Sequence, residues 1–525
     1  MYTDIKHVQV LIALLKKYGV THLVISPGTR HLPLVHSVEN DPDFTCYSIV
    51  DERSAAFFAI GLIQELRRPV AICCTSSTAS CNYYSAITEA FYRALPLAVL
   101  TADRNPHFLN QREEQQIPQA DMYPHVVKKS VTLPFIKDQD DYDYCVRIAN
   151  DALLELDHHG KGPIHINYPV YMDIGNFNTP SLPEIRKIDR LMLRSADKGL
   201  WESKHEMLKA SHAIMVNFGV NNPLDEGSFK VVEDFSKIFN CVVMVDQESN
   251  YKGAKSINSF ALWRCAGGGR IDDALFPEII ITVYGNTSSE IKNYFKDNPR
   301  AFSHWHVAEN GEIADEFRHL DTVFECNPIE FFSYCIQQHA RASGDSYYKA
   351  WKASTDAIII PELPFSEIYA VQQYMKALPD NAIFHLANSS VILQAENFAL
   401  APGIDVYSNR GTIGIDGTLS TFVGQSLHAT RPCYLLIGDL SFFYDMNGLW
   451  NQYVGSNLKI LMINNCGGGL FYWYPGENIS PDINRHTAAG CNAADAKPWV
   501  ESRGFKYISA SNQAEFDAQL PLFVT

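Results

Sequence analysis

Short apolar runs along the chain alternate with longer amphipathic stretches, a pattern that is typical of strands alternating with helices. In the N-terminal third, the runs predict buried strands and the stretches between them predict helices. The predicted strands cover residues 22–25, 45–50, 70–74 and 97–100, and the clearest helices cover residues 54–65 and 79–93. Strands in regular alternation with helices form a doubly wound parallel sheet.

The alternation recurs twice further along the chain, and two Pro-bearing segments, 176–190 and 341–365, are interpreted as linkers. We therefore expect an α/β protein of three doubly wound parallel-sheet domains. Their boundaries are predicted at residues 1–178, 190–342 and 362–525. The strands predicted in the second and third domains cover residues 214–217, 242–245, 279–283, 303–307, 382–386, 406–408, 435–437, 460–463 and 506–509.

Polar motifs follow the predicted strands of the first domain, at the edge where open α/β sheets bind their ligands. These motifs are residues 26–30, 51–53, 75–78 and 101–104. Arg30, Glu52 and Arg104 would lie together at this edge. The two arginines suit an anionic ligand, and Glu52 would place a carboxyl group beside it. A solvated surface pair is the alternative for the arginines. For Glu52 the alternative is a carboxylate that a helix N-terminus favours by ~0.3–1 kcal/mol.

In the third domain, oxygen-bearing residues follow two neighbouring strands. Asp439 comes after the strand at 435–437, and Asn465 and Gly467 come after the strand at 460–463. Residues 442–454 predict the crossover helix between these strands. Carboxylate, amide and carbonyl oxygens at one sheet edge suit an octahedral Mg²⁺ that bridges to a diphosphate. Free N–H groups at the start of the helix favour the same anion. An ordinary βαβ unit with a Gly-Asp turn is the alternative.

The second domain carries less charge at its predicted strand ends. A nucleotide-binding Rossmann domain would have a G-x-G-x-x-G motif at a strand–helix turn, and this region has none. We therefore interpret it as a structural middle domain with at most one substrate contact.

The length, net charge and cysteine content of the chain argue against several classes of protein. The 525 residues suffice for about three domains, and the net charge of −16 argues against a nucleic-acid-binding protein. No signal peptide opens the sequence, and no apolar run reaches the ~18 residues of a membrane span. The twelve cysteines are scattered, which favours a reducing, cytoplasmic compartment. Cys73 and Cys74 lie in a predicted strand and are interpreted as core residues.

The order and spacing of the motifs resemble those of a known family over nearly the whole chain. The spacing from Gly438-Asp439 to Asn465 is similar to the metal and diphosphate signature of thiamine diphosphate enzymes. The full set is similar to the 2-succinyl-5-enolpyruvyl-6-hydroxy-3-cyclohexene-1-carboxylate (SEPHCHC) synthase family of menaquinone biosynthesis. The motifs that carry this likeness are residues 26–30, 51–58, 82–84, 101–104, 408–411, 414–417, 438–441 and 464–468.

The resemblance implies a pyrimidine-binding, a central and a diphosphate-binding domain, and a reaction in two halves. 2-Oxoglutarate would be decarboxylated, and the resulting carbanion would add to isochorismate. Thiamine diphosphate with Mg²⁺ or Mn²⁺ would be the cofactor. A homodimer with the active site between subunits is expected, because the first and third domains would hold opposite ends of one cofactor. The dimers could pair into tetramers.

The resemblance also assigns site residues. Glu52 would be catalytic, acting on the N1′ atom of the aminopyrimidine. The metal would be held by Asp439, Asn465 and the Gly467 carbonyl. Ile415 would lie beneath the thiazolium, although simple loop packing would also account for it. The expected cofactor-binding residues are Gly438, Asp439, Leu440, Ser441, Asn465, Gly467, Gly468, Ile415, Asn388 and Ser389. The expected substrate-binding residues are Arg30, Arg104, Gln115, Lys292, Ser389, Arg410, Leu470 and Phe471.

The chain departs from the family pattern in the substrate shell. Leu393 stands where the family has an arginine, and Ile291-Lys292 where it has a Lys-Arg pair. Further departures are His31, Ser77 in place of a glycine, and Cys466 after the metal asparagine. Two lost charge-assisted contacts, each worth roughly 1.5–3 kcal/mol, could cost several powers of ten in turnover. The family usually continues into a further strand, so we expect a truncated C-terminus.

Three functions therefore stay open. The first is SEPHCHC synthesis itself. The second is a diverged thiamine diphosphate enzyme of the same lineage that uses another 2-oxo acid or another acceptor. The third is a cofactor-binding homologue with little catalysis.

Overall fold

The computed structural model describes residues 1–171, 174–188, 198–266, 271–296, 298, 300–312, 314–337, 344–473, 486–490 and 495–525. The described residues form three β-sheets with helices flanking them, and every strand pairing with a recorded register is parallel. This is the α/β architecture that the alternating pattern predicts.

The first sheet is built from the N-terminal region. Its strands are β1 (His22–Ile25), β2 (Thr45–Ser48), β3 (Val70–Cys74), β4 (Leu97–Asp103), β5 (Lys129–Thr132) and β6 (Ile164–Pro169). Its helices are α1 (Lys6–Lys17), α2 (Leu32–Glu39), α3 (Glu52–Leu66), α4 (Thr78–Asn82), α5 (Tyr84–Tyr92) and α6 (Gln139–Leu154). Among the described residues the strand order is β2-β1-β3-β4-β6-β5, so β1, β3 and β4 lie side by side. The predicted strands at 22–25 and 70–74 have the observed bounds.

The middle region forms the second sheet. Its strands are β7 (Ile214–Phe218), β8 (Cys241–Val245), β9 (Ser256–Ile257), β10 (Ile279–Val283), β11 (Ser303–Val307) and β12 (Leu320–Phe324). Its helices are α7 (Lys198–Ala210), α8 (Glu226–Ile238), α9 (Phe260–Ala266), α10 (Ser289–Lys296), α11 (Pro328–Gln337) and α12 (Ser346–Asp356). The order within the described part is β12-β11-β10-β7-β8-β9. Two apolar cores cover its faces, one containing Trp305 and the other Trp351.

The third sheet comes from the C-terminal region. Its strands are β13 (Ile383–Leu386), β14 (Asp405–Tyr407), β15 (Cys433–Gly438) and β16 (Leu458–Ile463). Its helices are α13 (Glu367–Ala377), α14 (Ser390–Ala395), α15 (Thr418–Ser426), α16 (Asp439–Tyr444), α17 (Lys497–Ser502) and α18 (Gln513–Val524). β13 pairs with β14 and β15 pairs with β16, both in parallel.

The crossover helix predicted at 442–454 is wrong in its bounds. Helix α16 ends at Tyr444, and a 3₁₀ turn at Met446–Leu449 follows it. The Asp445 carboxylate accepts hydrogen bonds from the backbone N–H and the hydroxyl of Ser420, 2.7 Å each. Gly448 also approaches Ser420, since a Cβ on this glycine would lie 2.7 Å from the Ser420 hydroxyl oxygen. Tertiary contacts therefore end a helix that the apolar pattern alone would continue.

Two further predictions need correction. The helix expected at 79–93 is divided at Tyr83, whose N–H bonds to the Ser80 carbonyl at 3.3 Å and whose side chain is fully buried. The strand expected at 506–509 does not form among the described residues. Lys506 and Ile508, on one face of that segment, are both exposed, so the segment gains little by joining a sheet.

The chain divides into two compact units. The first comprises residues 1–191, 387–389 and 409–507, and the second comprises residues 192–386, 390–408 and 508–525. The first unit thus holds β1–β6 together with β15 and β16. Helices α3 and α15 pack closely within it, because a Cβ on Gly61 would lie 2.1 Å from the Thr421 carbonyl oxygen and one on Gly424 2.2 Å from the Phe58 carbonyl oxygen.

None of the helices among the described residues has the length and apolar character that a membrane crossing requires.

Candidate active site

Asp439 stands at the carboxyl end of β15, beside the end of β16. Gly438 pairs with Ile463 in the parallel register, so the chain leaves both strands at the same edge. The Asp439 side chain is buried, and its two oxygens accept the N–H groups of Leu440 at 2.8 Å and Gly467 at 3.0 Å. Burial raises the pKa of Asp439 above its usual value. A fixed, desolvated carboxylate of this kind gains much from a nearby cation.

The turn after β16 requires its glycines. Gly467 has φ +155°, and a Cβ there would lie 2.8 Å from the Ala488 carbonyl oxygen. A Cβ on Gly468 would lie 2.8 Å from the Phe471 ring. Asn465 is half-buried and Cys466 adopts φ +62°, so the turn holds strained backbone at the edge. Leu470 is half-buried, and the Phe471 side chain is 43% exposed.

The donor atoms at this edge fit a hard divalent cation. Among the described residues, no three His, Cys, Asp or Glu side chains come together as a metal site. Sites for Mg²⁺ instead use one or two carboxylates with other oxygens, water and phosphate. Asp439 supplies such a carboxylate, Asn465 an amide oxygen and Gly467 a carbonyl.

A second element of the edge is the loop between β14 and α15. The Asn388 side-chain amide donates to the carbonyls of Asn409 at 2.7 Å and Gly414 at 2.8 Å, and so joins both ends of the loop. Arg410 donates from Nη1 to Asn388 Oδ1 at 3.4 Å. The Ile415 carbonyl accepts the Ser441 hydroxyl at 2.8 Å. The loop and the first turn of α16 are thus connected directly.

Two residues at this part of the site have a positive φ. Ser389, next to Asn388, has φ +81°, and the β-branched Ile413, within the loop, has φ +59°. Such values are rare for residues other than glycine and cost of order 1–3 kcal/mol each. The half-buried Ile415 follows two residues later. Strain in the loop is compatible with a fixed ligand-binding conformation.

Glu52 opens helix α3, as predicted. The Asp51 side chain caps this helix by accepting the Ser54 N–H at 2.9 Å. Glu52 is half-buried, and its Oε2 accepts from the Asn82 side chain at 3.0 Å. Both interpretations of Glu52 remain compatible with this geometry, because a helix-terminal carboxylate can also act on a ligand.

Helix α3 meets the third-sheet elements in the same compact unit. Asn447 donates to the Asp51 carboxylate at 3.0 Å, and Arg53 donates to the Tyr444 carbonyl at 2.6 Å. The Phe57 ring occupies the position that a Cβ on Gly417 would take, 2.2 Å away. Helix α3, which begins with Glu52, therefore packs against elements of the third region within one chain.

The predicted cationic edge of the first sheet is also formed. Arg30 Nη1 donates to the Tyr171 carbonyl at 2.5 Å, and Arg104 Nη2 donates to Gln115 Oε1 at 3.3 Å. Burial first, and the charge of Arg104 second, lower the pKa of Arg30. Two guanidinium groups that disfavour each other's charge would gain from an anion between them.

Gln119 connects this edge to the strained turn after β3. Its side chain is buried, accepts the Ser77 N–H at 2.7 Å and donates to the Ala102 carbonyl at 3.1 Å. Ser77 has φ +75° and ψ −132°, a combination that essentially only glycine adopts without strain. The hydrogen bond from Gln119 therefore helps hold a conformation that serine disfavours.

Comparisons with known proteins agree with this geometry. Residues 5–122 match the family model described as thiamine pyrophosphate enzyme, N-terminal TPP binding domain. The SEPHCHC synthase of Bacteroides fragilis is 38% identical over 528 aligned residues, which cover 100% of this chain and 94% of that protein. The chain belongs to the SEPHCHC synthase family.

More distant members extend the same likeness. The synthase of Bacteroides thetaiotaomicron is 38% identical over 100% of this chain and 94% of its own length. That of Flavobacterium johnsoniae is 31% identical over 93% of this chain and 88% of its own length. The benzoylformate decarboxylase structure from Polynucleobacter necessarius aligns with a TM-score of 0.75 at 15% identity, covering 100% of this chain and 96% of that one, which shows the shared fold. This SEPHCHC synthase family member is a thiamine diphosphate-dependent enzyme.

Two positions that depart from the family pattern lie in the second compact unit. Lys292 is on α10, with its ammonium group 3.3 Å from the Glu316 carboxylate. Leu393 is a half-buried residue of α14. The other predicted site residues all belong to the first unit.

Sequence reasoning missed three residues that support the site: Glu89, Gln119 and Asp445. Glu89 sits in an otherwise apolar stretch of α5, and a lone acid on an apolar helix face was a signal that could have found it. Gln119 lies in an irregular polar segment that gives no periodic signal. Asp445 was assigned to a helix interior, although Asp disfavours that position.

Proposed function

We propose that this chain is a SEPHCHC synthase, which decarboxylates 2-oxoglutarate and joins the resulting four-carbon unit to isochorismate. The observation that carries the proposal is the buried Asp439 carboxylate. It is fixed to the Gly467 N–H at 3.0 Å, in the same compact unit as the helix that begins with Glu52. When bound, thiamine diphosphate would supply a nucleophilic carbon for the 2-oxo group and a sink for the electron pair that decarboxylation leaves.

The cofactor's two ends would be held by different regions of the chain. Asp439, Asn465 and the Gly467 carbonyl would hold Mg²⁺ or Mn²⁺, which neutralises the diphosphate. Glu52 would hold a proton at the pyrimidine N1′ atom, which shifts the 4′-amino group toward its imino form. Ile415 would support the thiazolium from below, on a loop fixed by the bond from Ser441 to its carbonyl. The remaining cofactor contacts are proposed at Gly438, Leu440, Gly468, Asn388 and Ser389.

Substrate recognition requires cations, because both substrates are dicarboxylates. Arg30 and Arg104 stand at the first-sheet edge, where the charge of one lowers the pKa of the other. Arg410 and Gln115 would add a further charge-assisted contact and a neutral one. Leu470 and Phe471 would form an apolar wall that excludes water from the carbanion.

A diverged reaction on another 2-oxo acid or acceptor is the second candidate. The observation that favours it is the pairing of Lys292 with Glu316, whose side chains are 22% and 18% exposed. This pairing partly neutralises one of the cations that the family pattern supplies. Leu393 removes another, so the substrate shell carries less positive charge than two dicarboxylates would prefer.

Product analysis distinguishes the two candidates. The purified chain is mixed with thiamine diphosphate, Mg²⁺, 2-oxoglutarate and isochorismate, and SEPHCHC is sought by mass spectrometry. Product at ordinary rates, a turnover number of about 1 s⁻¹ or more, supports the synthase. CO₂ release only from a different 2-oxo acid supports the diverged enzyme. Cofactor binding without turnover of any 2-oxo acid contradicts both.

We further propose a homodimer, or a tetramer of two dimers, in a reducing cytoplasm. The described cysteines are free thiols, as that compartment favours. Helix α3, which begins with Glu52, packs against Asn447 and Tyr444 of the same chain, so the proposed location of the site between subunits needs its own test. Mixing inactive Glu52→Gln and Asp439→Ala chains, then allowing exchange, should restore up to about a quarter of the activity if subunits share sites. Mixtures that stay inactive place each site within one chain.

A further inference from the structure

Glu89 is a buried carboxylate whose bonding partners lie more than three hundred positions away along the chain. It is on α5 and only 1% exposed. Its oxygens accept the Gly411 N–H at 3.1 Å, the Thr412 N–H at 2.8 Å and the Thr412 hydroxyl at 2.9 Å. All of these residues belong to the first compact unit. A buried charge with three donors on one short segment fixes that segment strongly.

The segment that Glu89 holds lies between two proposed site residues. Arg410 precedes Gly411 directly, and Ile415 follows three residues after Thr412. Gly411 approaches α5 so closely that a Cβ on it would lie 2.8 Å from the Glu89 backbone carbonyl oxygen. Asn388 fixes the other side of the same loop through the carbonyls of Asn409 and Gly414. The loop is therefore clamped from two sides, by an amide donor and by a carboxylate acceptor.

The charge of Glu89 is balanced within its own helix. Arg93, one turn further on, places Nε 3.9 Å from Glu89 Oε1. Burying a carboxylate without a cation or several hydrogen-bond donors would destabilise the fold by several kcal/mol. The pairing with Arg93 offsets part of that cost. Neither the packing nor the capping of helix α5 requires a carboxylate at position 89. The contribution of the Glu89 carboxylate is its hydrogen bonds to the loop.

We propose that Glu89 is a positioning residue for the reaction, setting the direction of Arg410 toward an anionic substrate through the backbone of Gly411 and Thr412. This inference rests on the proposed function for the role of Arg410. Because Glu89 bonds Gly411 and Thr412 directly after Arg410, and contacts none of the proposed metal ligands, its loss should weaken substrate binding much more than cofactor binding.

The first test measures steady-state kinetics and thiamine diphosphate affinity. Glu89→Ala should raise KM for the carboxylate substrate by up to about 100-fold, with kcat and cofactor affinity changed much less. Glu89→Gln, which keeps the shape and one acceptor oxygen, should fall between the wild type and Glu89→Ala. Ile87→Val, on the same helix and fully buried, is the matched control for lost stability and should keep its KM. Equal losses in kcat, KM and cofactor affinity in Glu89→Ala contradict the proposal.

The second test is a double-mutant cycle. If Glu89 acts through Arg410, the Glu89→Ala/Arg410→Ala double variant should bind substrate no worse than Arg410→Ala alone. Additive losses would mean that the two residues act independently, which contradicts the proposal.

The third test needs no activity. Amide hydrogen exchange should accelerate at Gly411 and Thr412 in Glu89→Ala and stay slow in Ile87→Val. Unchanged exchange at the loop overturns the positioning role even if the enzyme is active. If the wild-type protein shows no turnover but exchange at Gly411 and Thr412 is faster in Glu89→Ala, the result supports the role of Glu89 in holding the loop and contradicts the proposed function.

Discussion

The proposed metal edge and the proposed substrate edge of the first compact unit are built in different ways. At the metal edge, at the ends of β15 and β16, Asp439 is buried and bonds two backbone N–H groups at 2.8 and 3.0 Å. At the substrate edge, at the ends of β1 and β4, Gln115 is exposed and meets Arg104 through a 3.3 Å bond between long side chains. Asp439 is thus held by backbone groups, whereas Arg104 and Gln115 meet through their side chains.

From this difference we infer which amino-acid substitutions the protein tolerates at each edge. A backbone-fixed carboxylate cannot be replaced by a neighbour, so the metal edge should lose its function with one substitution. Side chains that meet other side chains, as Arg104 meets Gln115, can be exchanged with a graded effect on affinity. The sequence agrees with this expectation at the proposed metal edge, where Asp439 and Asn465 are retained.

Replacing the metal-edge carboxylate should give the largest effect. Asp439→Ala removes the charge that would hold the cation, so thiamine diphosphate should not be retained and kcat/KM should fall by at least about 10³-fold. Cofactor content after gel filtration and a thiamine diphosphate titration measure this. Asp157→Ala, an exposed change in the same unit, is the control. Retention of cofactor at wild-type affinity would contradict the metal assignment.

Changing Glu52, the proposed catalytic acid, should separate cofactor binding from cofactor chemistry. Glu52→Gln keeps the side-chain shape but cannot share a proton with N1′ in the same way, so the cofactor should stay bound while exchange of its C2 proton is abolished. Proton exchange in deuterated buffer, followed by NMR after acid quench, measures the rate. Glu65→Gln on the same helix should exchange normally. Unchanged exchange in Glu52→Gln would leave Glu52 as a helix-terminal carboxylate only.

At the substrate edge the effect should be graded. Arg104→Ala should weaken binding of the anionic substrate by roughly 1.5–3 kcal/mol, about 10- to 150-fold in KM, with cofactor affinity unchanged. Steady-state kinetics with the exposed Arg112→Ala as control tests this. A parallel loss of cofactor binding would show that the two edges are not independent.

The titration of Asp445, which follows helix α16, should make the free energy of unfolding depend on pH. Burial raises its pKa to about 7, so from about pH 4 to 7 the folded chain holds a proton that the unfolded chain has released. The wild-type free energy of unfolding should therefore lose about 1.4 kcal/mol per pH unit from this group as pH rises. Asp445→Asn should lack that slope in denaturant titrations. Parallel pH profiles for the two proteins would exclude this titration.

The smallest effect should come from the strained turn at the substrate edge. Ser77→Gly removes the cost of φ +75°, and the unfolding free energy should rise by about 1 kcal/mol once the greater freedom of glycine in the unfolded chain is subtracted. Thermal unfolding measures it, with Ser76→Gly as the neighbouring control. A decrease in stability would contradict the strain assigned to Ser77, because glycine keeps the backbone N–H that bonds Gln119.

The sequence alone could predict many of the strands because these depend on local pattern, although β5, β6, β9 and β12 were not predicted. Short apolar runs such as 279–283 and 303–307 have the observed bounds, and Glu52 begins its helix as expected. The helix predicted at 442–454 was wrong because Asp445 bonds Ser420, a partner 25 residues away. The lone acid on an apolar helix face marked Glu89, but its bonds to Gly411 and Thr412 could not be predicted, because these partners are distant in sequence.

The metal edge is tested most directly by anomalous diffraction from crystals grown with thiamine diphosphate and Mn²⁺. The account predicts one strong peak bonded to an Asp439 oxygen, the Asn465 amide oxygen and the Gly467 carbonyl, with the diphosphate completing the coordination sphere. A peak elsewhere, or a bound cofactor whose metal leaves Asp439 without contact, would contradict it.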